Sequence, residues 1–118
     1  MEVQYIINYL SIKENTLREI PYFFANLDRP HDVDFVHNTA LDGTIFEGQS
    51  VTFSCSAKGS PAISYYNLRQ NGRELVNMTN GVFKIDEVRL EHSGTYTCVP
   101  INKAGLGENK TTILRVQG

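Results

Sequence analysis

Tryptophan is absent from this 118-residue sequence, cysteine occurs only twice, and neither sign of charge dominates. Two cysteines without a Cys-x-x-Cys spacing exclude a cysteine-rich metal framework. The 11 Lys and Arg residues against 13 Asp and Glu are scattered, so no basic stripe exists to neutralise a phosphate backbone, and nucleic acid is not an expected partner. The longest apolar runs, Tyr5 to Ile7 and Tyr22 to Ala25, fall far short of the roughly 20 residues that cross a bilayer, so no membrane span is expected. Met1 is followed by Glu2 and the first apolar run breaks at Asn8, which does not read as a secretory leader. The three histidines, His31, His37 and His92, have no carboxylate or thiol at metal-ligand spacing, and no metal site is expected. Ser93 beside His92 is the one tempting catalytic pair, but adjacent strand residues face opposite ways. The expectation is therefore a chain that is not an enzyme, with no cofactor and no small-molecule substrate.

What is present is alternation. Val51, Phe53, Cys55 and Ala57 fall on one face of a strand, with Ser50, Thr52, Ser54 and Ser56 on the other, the period-2 pattern of a half-buried strand. Ser93 to Cys98 repeats it, with Tyr96 and Cys98 sharing a face and Thr95 and Thr97 opposite. Two inward cysteines on separate strands suit a bridge between facing sheets, and closing a loop of that length stabilises a domain by on the order of 4 kcal/mol. The alternative is a pair of buried free thiols.

With both cysteines placed, the chain from about Asp34 to about Gln117 resembles the immunoglobulin superfamily. Glu47 to Pro61 is similar to that family's A′ and B strands and B–C turn, and Val82 to Val88 to its strand E. Ser93-Gly94-Thr95-Tyr96-Thr97-Cys98 resembles the strand F signature with its tyrosine corner, Asn102 to Gly105 the F–G turn, and Thr111 to Val116 the last strand. The resemblance implies an all-β, antiparallel sandwich with Greek-key topology, a Cys55–Cys98 disulfide, and a core that includes Val51, Phe53, Tyr65, Ile85 and Tyr96. The short stretch between Leu68 and Val82 leaves no room for two extra strands, which favours the intermediate set or the constant-2 set over variable domains. Three positions depart from the pattern. Tyr65 stands where the family carries a strand C tryptophan, His92 replaces an acidic residue at the E–F corner, and Pro100 is read as the end of strand F or a bulge.

Asn71-Gly72 suits a tight turn with positive φ at both central residues, joining strands C and C′. Asn77-Met78-Thr79 and Asn109-Lys110-Thr111 satisfy the N-glycosylation pattern, with Asn77 expected in the C′-to-E connection and Asn109 pointing outward. Residues 1–30 are an extension outside the resemblance. Val3, Tyr5, Ile7 and Tyr9 alternate there, Ser11 to Glu14 reads as a capping box, and Asp28 to Asp32 reads as a linker before a domain spanning 31–118.

The resemblance implies a non-catalytic protein–protein recognition or cell-adhesion module of a multidomain cell-surface or extracellular-matrix protein. Its partners would be other proteins, a second copy of the same chain among them, and its location extracellular as part of a larger protein. The alternative is an intracellular structural domain of a muscle or cytoskeletal filament protein. Outward strand residues such as Thr52, Ser54, Thr95 and Thr97 are polar and mark no binding face.

Overall fold

Alternation decides the strand at the centre of the smaller sheet. Val51, Phe53 and Cys55 of β3 (Val51–Ser60) are buried, whereas Thr52 and Ser54 are half-exposed and Ser56 is open to solvent. In this computed structural model, residues 27–118 are described. The alternation of Val3 to Tyr9 and the capping box at Ser11 to Glu14 lie outside them.

β3 pairs antiparallel with β1 (Asp28–His37) on one side and β6 (Val82–Ile85) on the other, giving a three-stranded sheet. The facing sheet runs in the order β2 (Thr44–Phe46), β9 (Lys110–Gln117), β7 (Gly94–Asn102), β4 (Tyr65–Gln70) and β5 (Arg73–Met78), and β8 (Gly105–Leu106) pairs with the end of β7. Among the described residues, only β2 and β9 run parallel. Because the chain crosses between sheets after β1, β2, β3, β5 and β6, the arrangement is a Greek-key sandwich.

Between the sheets Phe53 lies on Tyr96 with ring centroids 4.5 Å apart, and Phe35 stacks on Phe53 at 5.8 Å. Phe53 and Tyr96 come from opposite sheets, so this contact is the middle of the core. The disulfide joins Cys55 to Cys98 beside it, closing a sequence separation of 43 residues. Val51 is fully buried, and Ile85 is half-buried against the same cluster.

Four expectations are corrected. Asp28 to Asp32 is strand, not linker: Asp28 is paired with Ser60, Pro30 is fully buried, and the Glu108 amide donates to the Pro30 carbonyl at 3.1 Å. Register shifts on both sides of His31, with Asp32 at φ 52°, break the alternation that would have marked the strand. Strand A′ is Thr44–Phe46, ahead of Glu47, because Gly48 at φ 90° turns the chain into β3.

Tyr65 is half-buried and outside the core; Tyr66 and Leu68 face inward, and Leu68 is fully buried opposite Cys98. Leu68 thus sits across from the disulfide, in the place the sequence reading gave to Tyr65. Pro100 neither ends β7 nor bulges it, since pairing continues to Asn102. Its carbonyl accepts from the Gly107 amide at 2.9 Å, and a strand residue turns its N and O to the same side. The missing N–H therefore faces residues 107–109, the break between β8 and β9, where no ladder bond is due.

Candidate interaction surface

Tyr96 anchors the corner that enters β7. Its hydroxyl donates to the His92 carbonyl at 2.5 Å, closing the 3-10 turn Leu90–His92 against the strand. Burial pushes that hydroxyl up to about 12, so it remains a donor throughout the physiological range. At this corner, where His92 stands in place of the family's acidic residue, hydrogen bonds brace the chain. The Gln70 side chain donates to the Glu91 and Ser93 carbonyls, both at 3.0 Å, and His92 Nδ1 accepts from the Arg89 amide at 2.8 Å.

The β4–β5 turn braces the same end. Asn71 and Gly72 take φ of 51° and 84°, the positive pair the sequence called for. The Asn71 side chain accepts from the Thr95 amide at 3.0 Å. Gly94, at φ 141°, passes so near this amide group that a Cβ there would collide with it.

His92 and Ser93 have separate duties, since Ser93 Oγ accepts from the Val116 amide at 2.9 Å. His37 hydrogen-bonds Thr112 and Thr39 at 3.0 and 2.7 Å, and burial lowers its pKa. His31 is raised by its bond to Asp28, 2.7 Å away on the surface. Among the described residues no group of three or more His, Cys, Asp or Glu side chains gathers as a metal site. Among them also, no helix is long and apolar enough to cross a membrane.

The two sheets present unlike outer faces. Across the three-stranded sheet the outward rows are Val36–Ser54–Val82, Asp34–Ser56 and Thr52–Lys84, polar apart from two separated valines. Across the larger sheet Tyr65 stands opposite Ile101, and Ile101 opposite Leu106. These three form a continuous apolar row in which Leu106 is 62% exposed. Ile113 adds a further exposed apolar side chain at the other end of this face. Sequence reasoning missed the row because Val99, Pro100 and Ile101 are consecutive, which blurs the period-2 signal.

Asn77 is within β5, not in the connection after it, and sits opposite Asn67 on this same outer face. Its Oδ1 accepts from Asn67 Nδ2 at 2.8 Å, and Asn67 Oδ1 accepts from Arg69 Nε at 2.7 Å. Both Asn77 and Asn109 are exposed.

Residues 36–116 match a family model described as an immunoglobulin domain. Mouse B-cell receptor CD22 is 26% identical over 72 residues, covering 61% of this chain and 8% of that protein. Canine vascular cell adhesion protein 1 is 36% identical over 61 residues, covering 50% of this chain and 8% of the relative. The chain thus spans less than a tenth of either relative. In three dimensions it is similar to extracellular domains 3–5 of Drosophila OTK, with a TM-score of 0.64 at 23% identity over 78% of this chain and 33% of that one.

Proposed function

Since the chain belongs to the immunoglobulin domain family, we propose that it is a non-catalytic recognition module of an extracellular or cell-surface protein, binding other proteins through the outer face of its larger sheet. The observation that carries this reading is the row Tyr65–Ile101–Leu106. Three apolar side chains from adjacent strands lie in register on a surface whose counterpart is polar apart from two separated valines. A disulfide-stapled sandwich holds such a row rigid, so little conformational entropy is lost when a partner covers it. The relatives, a B-cell receptor and a vascular adhesion protein, support a receptor or adhesion setting.

The test has two parts. Protein from its native cells, alkylated without reduction, is expected to take up no label at Cys55 or Cys98; labelling of both would move the chain to a reducing compartment and to the filament-protein reading. The clustered chain, applied to intact cells, is then expected to bind in a manner that Leu106→Asp or Ile101→Asp abolishes and Val36→Asp does not. Equal loss from all three, or from none, would remove the larger sheet from the proposal.

A further inference from the structure

Both glycosylation motifs of this chain fall on one face of one sheet, and their placement is more regular than the sequence suggests. Asn77 stands opposite Asn67, and Asn67 opposite Val99, across β5, β4 and β7. The β7–β9 register sets Thr97 opposite Thr111. β9 begins at Lys110, opposite Cys98, so Asn109, the residue before it, lies beyond the Val99 end of this row. One cross-strand row therefore runs from Asn77 through Asn67 to Val99, with Asn109 just beyond it, three strand spacings or about 14 Å from Asn77. The strands of the smaller sheet, by contrast, contain no asparagine at all.

We propose that Asn77 and Asn109 are both N-glycosylated, and that the two glycans flank and screen the outer face of the larger sheet one row away from Tyr65–Ile101–Leu106. The chemistry at each site is a transfer. The side-chain Nδ2 bonds to the anomeric carbon of a lipid-pyrophosphate-linked oligosaccharide, the lipid pyrophosphate leaves, and the amide gives up one proton. The folded chain accommodates the product. Asn77 uses its Oδ1, not its Nδ2, to accept from Asn67, so the nitrogen that carries the sugar is not the atom engaged in that bond. Asn109 lies between β8 and β9, exposed, as are Thr79 and Thr111, the hydroxyl residues of the two motifs. With glycans at both ends of this row, a partner reaches the apolar row from the β7–β8 end of the sheet, where the turn after Asn102 leaves the surface open.

This inference rests on the secretory-pathway reading above. The test uses the whole protein from its native cells, digested with peptide N-glycosidase in heavy-oxygen water, which converts each glycosylated asparagine to a labelled aspartate. Label at both Asn77 and Asn109 is expected. Thr79→Ala and Thr111→Ala should each remove one glycan and together both; Thr79→Ala leaves the Asn67–Asn77 bond intact, so loss of sugar is separable from loss of fold. An unlabelled Asn77 or Asn109 in a chain whose cysteines are oxidised overturns this proposal and leaves the secretory reading standing. Free thiols with no label overturn both. Hydroxyl-radical labelling of Tyr65 and Ile113 should rise by at least half after glycan removal while that of Val36 does not change; equal labelling before and after would sink the screening.

Discussion

The two sheets share one core but differ in how their outward positions are filled. In the three-stranded sheet every second residue of β3 is Thr, Ser or Lys, so inward and outward positions separate cleanly and the outer face is hydrated. In the larger sheet β7 carries Val99, Pro100 and Ile101 in succession, and apolar side chains emerge on both faces. A sandwich needs only its inner faces apolar. Apolar residues left on one outer face in register across three strands are what folding alone does not call for, and they are the reason the proposed partner is assigned to the larger sheet.

The strongest way to break the comparison is to cut the sheets apart. Replacing Cys55 and Cys98 together with alanine removes the covalent link between β3 and β7 and is expected to lower stability by about 4 kcal/mol, read from the urea midpoint. Next comes a contrast within β4. Leu68→Ala empties a fully buried site opposite Cys98 and should cost about 3 kcal/mol, while Tyr65→Ala, on the outer face, should cost less than about 1 kcal/mol. Reversal of that order would put Tyr65 back in the core.

Tyr96→Phe keeps the ring against Phe53 and removes only the bond to the His92 carbonyl; about 1 kcal/mol is expected, with the loss confined to the corner before β7. The smallest effect is a pH dependence placed in the smaller sheet. Burial holds His37 below its ordinary 6.5, so the unfolded chain binds more protons as the solution becomes acidic. The stability His37 contributes is complete above pH 6.5 and is lost as pH falls through its folded pKa. His31, raised beside Asp28, works in the opposite sense: its contribution is present below 6.5 and lost as pH rises through its folded pKa. The His37→Gln variant should therefore show a smaller fall in melting temperature between pH 7 and pH 5 than the parent chain, with His31 common to both.

Much of this was legible without coordinates. Period-2 alternation around Cys55 and Cys98 is a local property, as is the demand of Asn71-Gly72 for a turn with positive φ, so the cysteine strands and the hairpin could be read directly. Asp28 to Asp32 could not. Two register shifts hide the pattern there, and what makes the segment a strand is distant: Ser60, Asn102, whose side chain donates to the Asp28 carbonyl at 2.9 Å, and Glu108. Tyr65 and Tyr66 are equally apolar neighbours, and only the register with β7 decides which of them faces the core. Through their resemblance to a known family, the residues of the chain pointed to the sandwich, the Cys55–Cys98 pair and the tyrosine corner, because the alternation around each cysteine is a local signal even though the two lie 43 residues apart. Only tertiary pairing fixed which tyrosine is inside, that Leu68 faces Cys98, and that Tyr65, Ile101 and Leu106 meet in one row with Asn77 on the row beside it, because cross-strand neighbours are set by register between segments far apart in sequence.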